Sequence, residues 1–286
     1  MATYTSTTGV RPGLIPEEWI DRLVVEPVAA ESVAMNPAVS TTITVNGQLA
    51  HIPKVTDDVA ANWVAEGAEI SPDDAEFSEI TVTTRKIAAL SIISRELADD
   101  TSPSALELIG AGIARSIAKK IDAAFFSEPA PASPAPAGLG SLPDNQITKL
   151  NVTAWDSTDN FALADSVAGQ IGVTLSCWVA NPVDALTLAT IKASTDSRVP
   201  LLATDPTQPS RRIIEGKPVL ISPAVKSGTI WGLPSDRVIV ARRKDVTLET
   251  STDAYFSSDR LGIRATGRMG FAFPHTLGIV KLVKTS

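Results

Sequence analysis

The chain holds 286 residues, 44% hydrophobic and 20% charged, with a formal net charge of −7. This composition excludes wholesale disorder and supplies apolar side chains for two lobes, while no apolar run approaches the roughly 18 residues that span a membrane. The acidic balance makes the chain as a whole a poor grip for phosphates; the lone Cys177 excludes an internal disulfide framework and fits a reducing compartment, and two histidines, His51 and His275, leave little for zinc.

Taken in order, residues 1–13 are rich in Thr and Ser, and Pro16–Val25 carries a short amphipathic helix pattern. Val39–Val45 and His51–Val55 read as strands joined at Asn46-Gly47, a hairpin signal. Between Thr56 and Glu79 stand Asp57, Asp58, Glu66, Glu69, Asp73, Asp74, Glu76 and Glu79, with no Lys or Arg, around Trp63 and Val64. Strands flank this segment and it has too few apolar residues for a core of its own, so it reads as the acidic tip of a projecting β-arm. Phe77 opens a long strand in which Ile80 and Val82 alternate with Glu79, Thr81 and Thr83. From Ile87 to Ile93 both faces turn apolar, the pattern of a strand entering a covered core.

The strongest helix signal follows. Thr101 or Ser102 caps it, Pro103 sits where no N–H donor is needed, and Leu106, Ile109, Ile113, Ile117, Ile121 and Phe125 form one stripe. Gly110 and Gly112 each weaken such a helix by about 1 kcal/mol, which calls for close packing there. The Pro/Ala-rich stretch Glu128–Pro143 reads as a loop. A second lobe begins with a helix over Phe161–Ile171, a buried strand over Leu175–Ala180, and a helix started by Asn181-Pro182 that runs to about Lys192. Pro200–Arg211 reads as a loop and Ile213–Ser222 as strand, bend, strand. Thr229–Leu233, Arg237–Arg243, Val246–Ser251, Leu261–Thr266, Met269–Phe273 and Leu277–Val283 are further strands, and the long helix is the layer on which the late ones can pack.

Catalytic signals are sparse. The chain has no GxSxG, HExxH, Walker A or CxxC pattern, and Gly110-Ala111-Gly112 lies inside the helix instead of between strand and helix. His51 and His275 lack a neighbouring nucleophile-and-acid pattern, and Cys177 beside Trp178 reads as core packing. The pairs Asp57-Asp58, Asp73-Asp74 and Asp99-Asp100 suit turns better than general acid–base work, and the spacing of a calcium loop is absent. No catalytic residue, cofactor site or metal site is assigned. The charges themselves are lopsided: against the acidic arm, the chain from Arg237 onward carries Arg237, Arg242, Arg260, Arg264 and Arg268.

Several stretches line up in order: AANWVAEGAEI and FSEITVTTRKIAALSIISRELADD, the helix ending IAKKIDAAFF, then PAGLGSLP, WVANPVDALTLATIK, IIEGKPVLISPAV, RVIVARRKDVTLE and IRATGRMGFAFPHTLGIVKL. Together they resemble the major capsid proteins of tailed bacteriophages, with the Hong Kong 97-type fold that encapsulins share, from about Pro16 to Lys284. The resemblance implies an α+β subunit with an N-terminal arm (1–38), an extended E-loop (39–94), a peripheral domain (95–150 plus 235–286) with a spine helix at 103–126, and an axial domain (151–234). It implies a head protein, not an enzyme, whose hexamers and pentamers form an icosahedral shell around double-stranded DNA; the alternative is an encapsulin loaded with cargo enzyme. Implied partners are further copies of the chain, a portal and separate scaffold or decoration proteins, with no membrane. Implied location is the virion, after assembly in the host cytoplasm. In such a shell the E-loop lies over a neighbour's peripheral domain. Asp57, Asp58, Trp63, Val64, Glu66, Glu69, Asp73, Asp74 and Phe77 would then face a neighbour's Arg237, Arg242, Arg260, Arg264 or Arg268. Some relatives weld the shell through an E-loop lysine; no lysine lies between Lys54 and Lys86, so no such cross-link is expected.

Overall fold

The computed structural model describes residues 26–57, 63–64, 66–67, 76–94, 96, 104–130, 132–192, 200–204, 212–243, 247–251, 253 and 255–285. The helix expected over Pro16–Val25 lies outside them. In chain order the first elements are α1 (Glu26–Glu31), β1 (Thr41–Val45), β2 (Leu49–Asp57), β3 (Glu76–Thr83), β4 (Arg85–Ser94), α2 (Ser104–Phe126), β5 (Thr148–Val152), α3 (Asp159–Gln170) and β6 (Cys177–Ala180). There follow α4 (Pro182–Thr190), β7 (Ala203–Thr204), β8 (Arg212–Ile214), β9 (Lys217–Ile221), β10 (Thr229–Leu233), β11 (Ile239–Arg243), β12 (Thr247–Ser251), β13 (Arg260–Ala272) and β14 (Val280–Lys284).

The long helix forms where its periodicity places it. Ile113, Ile117, Ile121 and Phe125 are buried along one stripe and pack with Ile263, Ala265, Met269 and Phe271 of β13. Phe125 meets Phe126 and Phe271 edge-on, with ring centroids 4.9 and 5.1 Å apart. Close packing is absent at Gly112, where an added Cβ would meet only Arg115 Nη2 at 3.9 Å. It falls instead at the helix C-terminus. A Cβ on Gly138 would collide with the carbonyl oxygens of Ala124 and Phe125, so these two residues and Gly138 bring the Pro/Ala loop hard against the helix and seat Leu139 in the core. The helix also carries Asp122, a buried carboxylate that accepts bonds from Ser32 Oγ (2.6 Å), Val33 N–H (3.1 Å) and Ala34 N–H (3.0 Å). It thereby pins the elbow between α1 and β1.

Among the described residues the strands form three sheets. The first has the order β1-β11-β13-β12, with β4 along the other edge of β13, and α2 covers one of its faces. The second has the order β5-β14-β10-β6-β9-β8-β7 and buries Trp178 and Phe161 with the help of α3, while Trp231 packs into the core that contains the α2 stripe. Asn181 caps α4 by accepting from Val183 N–H at 3.0 Å, as its sequence signal requires. Strands β2 and β3 form the third sheet, a two-stranded ribbon.

Four expectations are corrected. Val39–Val45 and His51–Val55 do not form a hairpin: β1 runs parallel to β11, Thr41 opposite Ile239, and β2 pairs with β3. Gly47 does not adopt positive φ, so the turn that would fold β2 back on β1 never forms; that geometry appears at Glu215 (φ 49°) and Gly216 (φ 71°), between β8 and β9. The single long strand from Phe77 is two strands broken at Thr84, whose N–H and Oγ1 both donate to Gln48 O, at 2.8 and 3.1 Å. Leu261–Thr266 and Met269–Phe273 are one strand, β13. Finally, β4 is not covered on both faces: Leu90 and Ile92 are 58% and 43% exposed, because α2 reaches only the face bearing Ile87, Ala89 and Ile93. Strand β5 had no sequence signal of its own; it joins β14 in parallel at the sheet edge.

Candidate assembly surfaces

The ribbon is anchored at its root and bare toward its tip. Strand alternation puts Ala50, Ile52, Ile80 and Val82 on one face, and these pack on Ala241 and Ala272 of the first sheet. Gly270 permits the approach, since a Cβ there would lie 2.8 Å from Val82 Cγ1. The opposite face carries His51, whose Nδ1 sits 3.3 Å from Glu79 Oε2 and 3.5 Å from Thr81 Oγ1, all exposed. Phe77 is 73% exposed and Trp63 wholly so, with Val64 and Glu66 exposed nearby. Strand β2 ends at Asp57; Asp58, Glu69, Asp73 and Asp74 lie outside the described residues.

The arginines divide. Arg260, Arg264 and Arg268 stand at even spacing on β13 and share its outward face, together with Ala88, Leu90 and Ile92 of β4. Arg264 is ion-paired to Glu249 of the neighbouring β12. Arg242 pairs in register with Met269, which puts it on the helix side of the sheet, and its Nε is buried without a hydrogen-bond partner among the described residues. Arg237 lies beyond the Ala272 end of β13, 3.2 Å from Asp236. Three of the five are therefore neighbours. Reading the sequence missed Lys86, which faces Arg268 across the strand pair, and the exposed Leu90 and Ile92. A strand period of two, applied to Ile87–Ile93, separates these residues from the covered ones.

Nothing catalytic is assembled among the described residues. Burial, then the charges of Arg237 and Lys54, hold the His275 imidazole below its usual pKa, and no nucleophile pairs with it. Cys177 is fully buried in β6, Asp73-Asp74 and Asp99-Asp100 lie outside the described residues, and no three His, Cys, Asp or Glu side chains gather as a metal site among those described. No helix among the described residues is long and apolar enough to cross a membrane.

A long helix laid on one sheet, a second sheet-and-helix lobe and a projecting ribbon without a core define the Hong Kong 97-type capsid fold. Residues 13–284 match the phage capsid family, and the chain belongs to it. It is a major capsid protein, the subunit of an icosahedral shell. Similar solved structures include the capsid of an empty GTA particle (TM-score 0.68, 17% identity, covering 99% of this chain and 96% of that one). Microbacterium phage Oxtober96 gives a TM-score of 0.69 at 13% identity, covering 100% and 96%. A virus-like particle from Pyrococcus furiosus gives 0.62 at 13% identity, covering 93% and 98%. No curated protein matches the chain.

Proposed function

We propose that the shell consists of hexamers and pentamers enclosing double-stranded phage DNA, held together by the ribbon of each subunit lying over a neighbour. The observation that carries this reading is the bare ribbon tip: Trp63 and Phe77 are exposed, whereas the other aromatic side chains among the described residues are buried or half-buried. In domain terms, 1–38 is the N-terminal arm, 39–94 the E-loop, with β2 and β3 as its projecting part, 95–150 plus 235–286 the peripheral domain and 151–234 the axial domain. The second sheet takes in β14 from outside 151–234 and β5 across its first boundary, so backbone hydrogen bonds tie the axial and peripheral parts together.

At the interface the acids from Asp57 to Glu79 meet the basic face of a neighbour's β13. Exposed ion pairs contribute only about 0–1 kcal/mol each, so Trp63, Val64 and Phe77 carry the affinity, and closed rings multiply modest contacts. No catalytic step, metal or cofactor belongs to this role, and no covalent ladder forms on a denaturing gel. Portal, scaffold and decoration proteins are separate partners, and assembly takes place in the host cytoplasm before the chain becomes part of the virion. The encapsulin alternative has the same fold and differs in contents.

Electron microscopy of the purified chain, alone and with the products of adjacent genes, tests the reading. Closed shells, or rings of five and six, are expected, with DNA inside; enzyme cargo would favour the alternative, and a monodisperse monomer under all conditions would count against both. Asp73→Lys with Asp74→Lys is expected to weaken assembly and flatten its salt dependence; unchanged behaviour would sink the charge-docking part.

A further inference from the structure

The solvent face of α2 carries charges that the subunit does not neutralise. Arg115, Ser116, Lys119, Lys120 and Ala123 are exposed and fall, with Gly112, on one arc opposite the Ile113–Phe125 stripe. The acid in this half of the helix, Asp122, is buried and accepts from Ser32, Val33 and Ala34. Arg115, Lys119 and Lys120 form no ion pair among the described residues, not even with the exposed Glu31 of α1 or with Glu128 just past the helix. Arg85, which lines the same groove as Lys120, carries the cationic surface on to the start of β4. A chain of net charge −7 thus gathers unpaired cations on one side of its first sheet. Gly112 stands among them, where an added Cβ would meet only Arg115 Nη2 at 3.9 Å. A glycine inside a helix lowers its stability, and no neighbour within the subunit uses the space it leaves.

We infer that this face of α2 lies against packaged duplex DNA, with Arg115, Lys119 and Lys120 meeting phosphate oxygens and Gly112 letting the nucleic-acid backbone come close to the helix. The inference rests on the reading of a shell that holds DNA, and it adds which side of the subunit faces the contents. Along the helix axis the three cations span about 7.5 Å, a length over which one strand of a duplex presents about two phosphates. Contacts of this kind position a duplex without reading its sequence. A protein partner fits less well, since protein interfaces are anchored by large buried side chains such as Trp and Tyr, and between its cations the arc offers only Gly112, Ser116 and Ala123. The other face of the sheet differs. There Arg264 already has Glu249, and the ribbon packs on that side against Ala241 and Ala272. Charge complementarity therefore puts the polyanion on the helix side, although the chain as a whole is acidic.

Two measurements on the full chain test the contact, both with a short fluorescent DNA duplex of arbitrary sequence as the probe. The first follows duplex affinity against salt for the natural chain and for Arg115→Gln with Lys119→Gln and Lys120→Gln. Each phosphate contact contributes about 0.9 to the log–log slope, so the triple variant is expected to be shallower by about 2–3. The second uses Gly112→Leu, which fills open space on a helix that glycine weakens. It is expected to lose duplex affinity while its melting temperature stays level or rises, whereas a glycine needed for packing within the subunit would lower the melting temperature. An unchanged slope in the triple variant, or a Gly112→Leu chain that melts earlier and keeps its affinity, would overturn the contact and leave the shell reading standing. A triple variant that forms no shells while its slope is unchanged would overturn it too, and would assign the cations to a contact between subunits. Shells that hold enzyme cargo and no DNA would overturn both the contact and the reading on which it rests.

Discussion

The second-sheet lobe and the ribbon use large aromatic residues in opposite ways. In the lobe Trp178 is fully enclosed, edge-on to Phe161 at 5.0 Å and donating its indole N–H to Ile214 O at 3.2 Å. Gly232 yields it space, since a Cβ there would lie 2.6 Å from Trp178 Cζ3. On the ribbon Trp63 touches solvent all round and Phe77 nearly so. Burial of apolar surface drives folding wherever it occurs, so the lobe reaches its stability within one chain. The ribbon tip leaves that gain unrealised until a second chain arrives. The difference separates what folds the subunit from what assembles it, and substitutions in the two regions should separate in the same way.

The largest effect is expected at the lobe. Trp178→Ala removes a packed indole and opens a cavity, so it should cost about 3–5 kcal/mol in urea unfolding of the subunit. A loss below about 1 kcal/mol would mean that the lobe is not the rigid half of the comparison. Next is Asp122→Ala on α2, which strands Ser32 Oγ and two backbone N–H groups and should cost about 3 kcal/mol. Gly232→Ala drives a methyl into Trp178 and should cost about 1–3 kcal/mol by the same measurement.

Titration gives a second contrast. Burial outweighs three hydrogen bonds and raises the Asp122 pKa, so the folded chain holds that proton more tightly than the unfolded chain. The contribution of Asp122 is therefore fully present below the ordinary carboxylate pKa and is lost as pH rises through the raised value. Asp144 runs the other way. Hydrogen bonds from Lys149 and then Lys281 lower its pKa, so its contribution is present above the ordinary value and is lost as pH falls through the lowered one. Urea midpoints measured across the acid range should lose one slope in Asp122→Asn and the opposite slope in Asp144→Asn.

How legible each region was follows from the range of the interactions that made it. The stripe from Ile113 to Phe125 and the Asn181 cap are local: a helical period and a side chain two residues from its N–H carry the whole signal. The pairing of β1 with β11 joins residues almost 200 positions apart, Thr41 with Ile239, and no local pattern encodes it. Asn46-Gly47 had the right composition for a hairpin, yet Ile43 and Val45 gain burial beside Ala241 and Ala272 only if β1 stays in the body sheet. The surfaces were half legible. Acidity and Trp63 marked the ribbon tip, while the grouping of Arg260, Arg264 and Arg268, and the separation of Arg242 from them, required the register of β13.

The smallest expected effect on the subunit carries the most weight. Trp63→Ala should change the unfolding free energy of the isolated chain by less than about 0.5 kcal/mol, because no described neighbour encloses the ring. The same substitution should raise the concentration at which shells form by tenfold or more, since a buried aromatic anchor at an interface is worth about 2 kcal/mol or more. A loss of subunit stability matching that at Trp178 would show that the ring is enclosed within one chain, and the division between folding and assembling surfaces would collapse. Unchanged stability with unchanged assembly would leave the division intact but move the anchor elsewhere on the ribbon, with Phe77 the next aromatic to replace. Only normal unfolding combined with failed assembly fits a residue whose burial is completed by a neighbour.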